Sequence, residues 1–424
     1  MVHSVYLHYG HSEPQCRRVG LDLPAGYHSG QNRGASWAAI LLCGDGERAM
    51  VSALLFAGMF GFLGLSVLCP FVALPGYLFL RVQSGRRRFP PLRNKTSPAR
   101  LEILIPAFNE ASTIGATLAG ILSSIEHLRA GARNFPTPLV VIHVAADGCT
   151  DETASIARKF SGVEVSESLM NKSKWATLKS LLAHASADWV VLVDAGTIWP
   201  KTFLEDLIER IACEPSAIAI APSYRPQNAG LLHLLLWGLE KKLKTLESIC
   251  GGPVSLHGAT VAYQRSALRQ AVERLGNAHW LNDDVVIPLT MRAMCSEGRI
   301  LYPVGEVRDI GGRHDQMDLG RRRRMLQGNL QWVRALLPDC LRRNPVAGVI
   351  AVRRVFRILW AYWAVCFILA LALAFQATVW PGLAVLAALL TLSGSFRQLA
   401  GAAFVSLSAP FLMMRPSTGT EGWK

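Results

Sequence analysis

Apolar positions in the middle of the chain follow two rhythms. "LEILIPA" (101–107), "LVVIHVA" (139–145) and "WVVLVD" (189–194) are short, almost unbroken apolar runs of strand length. Helical patterns separate them, one reaching to about Arg129 and one starting at Asp151. Short buried strands alternating with helices predict an α/β domain with a mostly parallel sheet and helices on both faces. Outside that domain the rhythm disappears. Residues 51–80 and 358–396 carry no charge at all, the second run being broken at "QATVWPG" (376–382). At about 1.5 Å per residue the first would reach about 45 Å as one helix, enough to span a bilayer with tilt. The second suits a hairpin of two spans of about 20 residues each. A shorter candidate runs from Gln398 to Met414.

Composition sharpens this division. Hydrophobic residues make up 51% and charged residues 17%, and the mean hydropathy is +0.27, an unusual balance for a soluble chain. The net charge of +14 invites a nucleic-acid reading, so the location of the basic residues decides. They flank the apolar runs: seven Lys/Arg and no acid from Arg81 to Arg100, Arg321 to Arg324, then Arg342, Arg343, Arg353, Arg354 and Arg357. Such flanks are what the positive-inside rule expects, and no aromatic-interleaved basic stretch or zinc-finger spacing supports nucleic acid. The expected layout is a leader (1–49), a span (51–80), an α/β domain (98–335), a basic juxtamembrane segment (336–357) and two or three spans (358–414). The flanks place 81–357 in the cytoplasm, so the chain is expected to be an integral membrane protein, in the inner membrane if bacterial. The leader lacks a signal-peptide layout, and Met50 could be the true start. Nine scattered cysteines without a C-x-x-C pair point to a reducing compartment rather than a disulfide framework.

In open parallel sheets ligands bind beyond the carboxyl ends of the strands. The first strand here ends in "AFNE" (Asn109, Glu110), the second in "ADGCTDET" (Asp147, Thr150, Asp151), the third in "DAG" (Asp194). Ser112 and Asp151 could be helix caps and Asp147-Gly148 a turn, but three acid-bearing strand ends facing one crevice favour a site. "NKSKWATLKSLLAHA" puts Lys172, Lys174 and Lys179 at a helix start, where they oppose the macrodipole unless an anion such as a diphosphate binds there. "LLHLLLWGLEKKLKTLE" (231–247) reads equally as an interfacial helix or a buried one.

"ILIPAFNEASTI", "VVIHVAADGCTDET", "NKSKWATLKSLL" and "VVLVDAG" resemble, in order and spacing, the family 2 glycosyltransferases of GT-A fold over about residues 100–335. The resemblance implies a nucleotide-sugar donor, UDP- or GDP-linked, and donor-binding roles for Pro106, Asn109, Glu110, Asp147, Lys174 and Asp194. "LHGATVAYQRSAL" (256–268) resembles the acceptor-side segment, implying roles for His257 and Gly258, with Trp332 beside them. "HWLNDDVVIPLTMRA" resembles the paired-acid motif, implying Asp284 as general base and Asp283 beside it, since a carboxylate must take the proton of the attacking hydroxyl.

Two departures qualify the resemblance. The family usually has Asp-x-Asp at the third strand; Gly196 stands where the second acid would be, so Asp194 alone remains to meet Mg²⁺ or Mn²⁺ and metal dependence is left open. Processive members carry Gln-x-x-Arg-Trp; here Gly328 and Gln331 replace the first two and only Trp332 stays. The expected activity is inverting transfer to a membrane-associated acceptor, lipid-linked or glycan. The alternatives are a processive polysaccharide synthase and a non-catalytic membrane protein that keeps the fold.

Overall fold

The computed structural model describes residues 97–131, 136–225, 231–310 and 319–358, with 361–362, 401 and 403–408 beyond them. Its strands are β1 (Arg100–Ala107), β2 (Leu139–Asp147), β3 (Val163–Ser168), β4 (Trp189–Val193) and β5 (Thr197–Ile198). They continue with β6 (Ala217–Ile220), β7 (Ser223–Arg225), β8 (Thr260–Gln264), β9 (Arg299–Leu301) and β10 (Glu306–Asp309). The helices are α1 (Ile114–Ala130), α2 (Thr153–Arg158), α3 (Lys174–His184), α4 (Phe203–Cys213) and α5 (Leu231–Ile249). After these come α6 (Arg265–Leu275), α7 (Asp283–Met294), α8 (Leu319–Ala335), α9 (Leu337–Arg343) and α10 (Pro345–Ile358).

The main sheet has the order β3-β2-β1-β4-β8-β6-β9, and a small sheet has the order β5-β10-β7. β1 pairs in parallel with β2 and β4, and β2 with β3, so the carboxyl ends of all four lie along one edge. β8 runs antiparallel between β4 and β6, and β9 is parallel to β6. The sheet is therefore mostly parallel, with one reversed strand.

Strand alternation explains why the apolar runs are unbroken. Leu101, Ile103 and Ile105 of β1 pack with Leu118, Ile121 and Ile125 of α1 and with Phe203 and Leu207 of α4 on one face. Leu104, Val190 and Leu192 face the other way, onto Trp175 and Leu178 of α3, Leu268 of α6 and Val285 of α7. Both faces are covered, so every position is apolar, and each fully buried Leu or Ile contributes about 1.5–3 kcal/mol. Glu102 is the exception at 1% exposure. Its carboxylate accepts from the amides of Ser186 and Ala187, each at 3.2 Å, and pairs with Arg100 at 3.2 Å, so the buried charge ties down the turn before β4.

The structure differs from the sequence expectation in three places. The helix from Asp151 is only the short α2, and the polar edge strand β3 follows it. Its VEVSES alternation covers one face and leaves the other wet, which hides it among surface positions. α5 is neither wholly interfacial nor wholly core: Leu234 and Leu239 are exposed while Lys244 and Glu247 are buried. Arg353 and Arg354, expected as membrane flanks, turn into the α/β domain instead. Arg353 pairs with Glu247 and lies 3.8 Å from Glu240, and Arg354 donates to Ser255 Oγ. Among the described residues no helix is long and apolar enough to cross a membrane. The expected leader, the span at 51–80 and nearly all of 358–414 lie outside the described residues. Within the last, Val405 packs on Leu326 of α8, and the Tyr362 hydroxyl donates to the Leu407 carbonyl at 2.7 Å.

Candidate functional site

At the ends of β1 and β2 the polar residues first bind each other. Asn109, with φ of 54°, accepts the Thr150 amide on Oδ1 at 2.8 Å. Asp151 accepts the Ala111 amide at 3.0 Å, and Thr153 Oγ1 accepts the Glu110 amide at 2.7 Å. Asp151 is thus a bridge between two loops as well as the partner of the Thr153 amide at 3.0 Å. Glu110, mostly buried, starts α1 by accepting the Thr113 and Ile114 amides on its carbonyl, and its carboxylate accepts the Thr113 hydroxyl at 2.5 Å. Pro106 lies buried inside β1, opposite Ala145. Asp147 is 1% exposed and holds the Lys172 amide on both oxygens at 3.0 Å, which fixes the start of the lysine segment. A cavity of about 550 Å³ opens between β2, β3 and α3, with Asp147, Lys172, Ser168 and His143 in its wall.

The centre of the crevice is Lys174. It opens α3, whose cap is Ser173, itself at φ of 88° with its hydroxyl accepting the Ala176 amide at 3.5 Å. The ammonium lies 2.8 Å from Asp194 Oδ1 and 3.1 Å from Asp283 Oδ2, joining the end of β4 to the start of α7. Burial works to discharge it, but the carboxylates of Asp194 and Asp283 more than offset that and raise its pKa, so it is a fixed cation. The Lys174 and Asp194 side chains keep 28% and 40% of their surface, so the pair opens onto the crevice instead of closing the core.

Across from Lys174 stands Asp284. Gly258 forms the floor between the acids: a β-carbon there would lie 3.1 Å from Asp194 Oδ2 and 3.7 Å from Asp284 Cβ, so any side chain would intrude between them. The Asp284 carbonyl accepts the Leu256 amide at 2.9 Å, which ties the 256–258 segment to α7. Burial raises the Asp284 carboxyl to about 6, against the pull of Arg354, Lys174 and Lys244. Beside Gly258 the His257 ring stacks on Tyr224 with centroids 3.6 Å apart, and Trp237 stands 5.5 Å from both. That aromatic wall was not foreseen beyond His257.

The loop that delivers Asp283 and Asp284 is braced from α8. Gln331 donates to the His279 carbonyl at 3.1 Å and accepts the Leu281 amide at 3.3 Å. Asn282 donates to the Met325 carbonyl at 3.0 Å and to Asn329 at 3.2 Å, where α8 passes closest at Gly328. The expectation that Trp332 lines the acceptor side is corrected here. Its side chain is fully buried in the core and its Nε1 donates to Asn329 at 3.0 Å, leaving no surface for a ligand. The remnant of the Gln-x-x-Arg-Trp pattern therefore supports the acid loop from behind.

A divalent cation fits these side chains poorly. Among the described residues no three Asp, Glu, His or Cys converge as a metal site, and the one expected ligand, Asp194, has an oxygen engaged by the Lys174 ammonium. Gly196 has φ of +98°, so an acid at that position would carry backbone strain of about 1–3 kcal/mol. Its amide also donates to Thr117 Oγ1 at 2.9 Å, fixing the turn.

The mixed α/β domain thus holds a lysine between a strand-end acid, Asp194, and a helix-start acid, Asp283, with Asp284 next to it on the same helix. Residues 102–272 match the family model described as glycosyl transferase family 2. The chain is 27% identical over 192 residues to the uncharacterized glycosyltransferase YaiP of Escherichia coli (strain K12). That match covers 42% of this chain and 45% of the relative. To glycosyltransferase AglD of Haloferax volcanii it is 23% identical over 222 residues, 48% of this chain and 32% of the relative. The chain thus spans less than half the length of the curated relatives it matches. In fold it is similar to mannosyltransferase PcManGT of Pyrobaculum calidifontis, solved with GDP-Man and Mn²⁺. The TM-score is 0.62 at 21% identity, over 84% of this chain and 98% of that one, which shows the GT-A-like fold.

Proposed function

We propose that the protein is an inverting glycosyltransferase that moves a hexose from a nucleoside-diphosphate sugar to a hydroxyl of a membrane-associated acceptor. The observation that carries this reading is the Lys174 ammonium held by Asp194 and Asp283, with Asp284 across the Gly258 floor. A fixed cation at a helix start meets the donor diphosphate, and an acid with a raised pKa faces the place where an acceptor hydroxyl attacks. Asp284 takes the hydroxyl proton while the new bond forms at the anomeric carbon. The bond to the diphosphate oxygen breaks, and Lys174 neutralises the departing charge. Asp147, in the wall of the cavity, marks the nucleoside end, and the Tyr224–Trp237–His257 wall offers the acceptor an aromatic face. The neighbour solved with GDP-Man makes GDP- and UDP-linked hexoses the first donors to test. The uncharged runs at 51–80 and 358–396, with the basic stretch from Arg81 to Arg100 after the first, support a membrane-embedded enzyme whose transferase domain faces the cytoplasm. The acceptor is then lipid-linked or a glycan at that surface. Single transfer is favoured over processive synthesis because Gln331 is engaged in bracing the 279–281 backbone.

The test is release of nucleoside diphosphate and the configuration of the transferred sugar, over a panel of UDP- and GDP-hexoses with extracted membrane lipids as acceptors. Inversion, lost in Asp194→Ala, is expected. Retention of configuration, or release indifferent to Asp194→Ala, would overturn the assignment. Because the base works only when deprotonated, turnover should fall as the pH drops through about 6. A reporter fused after Asn344 should read cytoplasmic, and an external reading reverses the orientation.

A further inference from the structure

Glu240, Lys244 and Glu247 lie along one side of α5, and Arg353 and Arg354 of α10 mesh with them. Lys244 is 5% and Glu247 1% exposed, so this is a charge cluster inside the domain. It lies directly behind the acid loop: Arg354 donates to Ser255 Oγ, and the next residue, Leu256, donates its amide to the Asp284 carbonyl. We propose that Arg354 is a positioning residue for the general base: its guanidinium, anchored on Ser255, braces the 255–256 segment that holds Asp284 and places a permanent cation behind the acid loop. The inference rests on Asp284 being that base.

The charges facing Asp284 make the assignment specific. Asp283 comes from its own helix, Asp194 from the end of β4, and the buried Tyr263 phenol from β8; none of these favours a second negative charge. Lys174 also pulls on Asp284, but it is shared with Asp194 and Asp283 and is the group that meets the donor diphosphate. Lys244 is pushed down to about 8, with burial the largest cause, so its charge is the more easily lost as pH rises. Arg354 remains as the cation that stays charged throughout, and it sits behind the acid loop through Ser255. An opposite charge close to a carboxylate lowers its pKa by about 1–3 units, so removing Arg354 must raise it.

The experiment compares wild type, Arg354→Gln, Arg354→Lys, Ser255→Ala and Asp284→Asn as full chains in detergent, with pH profiles of kcat, acceptor KM and donor affinity. Arg354→Gln should move the acid limb of kcat up by about one pH unit, a loss of about fivefold to tenfold below pH 6 that recovers at alkaline pH. Donor affinity and acceptor KM should stay within about twofold of wild type. Arg354→Lys should return the limb towards its original place, and Ser255→Ala should move it in the same direction as Arg354→Gln but less. A limb that stays in place in folded Arg354→Gln overturns the proposal. So does a rise in acceptor KM with an unmoved limb, which would make Arg354 an acceptor contact. Should Arg354→Gln not fold, an unmoved limb in Ser255→Ala overturns it. Full activity in Asp284→Asn removes the base itself, and that outcome is distinct from the others.

Discussion

The two halves of the proposed site, donor and base, are built in opposite ways. On the donor half, polar residues are held by neighbours from adjacent strand-end loops: Asn109 by Thr150, Asp151 by the Ala111 amide, Asp147 by the Lys172 amide. The pieces are short segments at the ends of parallel strands, and the sheet register alone brings them together. On the base half, Asp283 and Asp284 sit on a loop and helix start that the sheet does not position. Gln331 and Asn282 link that loop to α8, and α10 closes behind it through Arg354. The donor half is thus a property of the strand order, whereas the base half depends on helices far along the chain.

That contrast is broken most severely at the base. Asp284→Asn keeps size and hydrogen bonding but cannot accept a proton, so turnover should fall by about 10²–10⁴-fold with donor affinity nearly unchanged. Equal losses of turnover and donor affinity would mean that the two halves are not separable. Next comes the support behind the loop. Trp332→Ala empties a fully buried site and should cost about 3–5 kcal/mol of stability, read by denaturant unfolding. A change within about 0.5 kcal/mol, with weakened acceptor binding, would return Trp332 to the acceptor side.

Legibility in the sequence follows the same division. β1, β2 and β4 were readable because both faces of the sheet are covered, which leaves continuous apolar runs. Lys174 was readable because a lysine at a helix start demands an anion, and Asp194 because it ends a buried strand. β3 was not, since an edge strand with one wet face looks like surface. Arg353 and Arg354 were misplaced because arginines before an apolar run look the same whether they face lipid headgroups or Glu247 and Ser255. Gln331 was noticed only as a departure from a pattern. Its partners are backbone groups about fifty positions away, and side-chain-to-backbone bonds leave no residue-type signature at the far end.

A milder perturbation sharpens the comparison. Gln331→Ala removes two hydrogen bonds to the acid loop, each contributing about 0.5–1.5 kcal/mol. Turnover should drop by about fivefold to tenfold, with donor affinity intact because the donor half has its own bracing. Loss of donor affinity in this variant would show that α8 supports both halves.

The smallest effect concerns the cation of the donor half. A protein-held divalent ion needs several oxygen ligands, and Mg²⁺ retains waters when only one or two carboxylates are offered. Here Asp194 presents one carboxylate, half of it already satisfied by an ammonium 2.8 Å away whose charge repels a second cation. Gly196, at φ of +98°, holds a turn geometry in which a second acid is strained. Titration calorimetry of the nucleotide-free protein with Mn²⁺ should therefore show no heat of tight binding, and Asp194→Ala should leave that baseline unchanged. Micromolar binding that disappears in Asp194→Ala would mean that Lys174 swings away to admit the metal. The donor half would then have to rearrange on loading, and its fixed ammonium could no longer be the counter-charge for the leaving diphosphate.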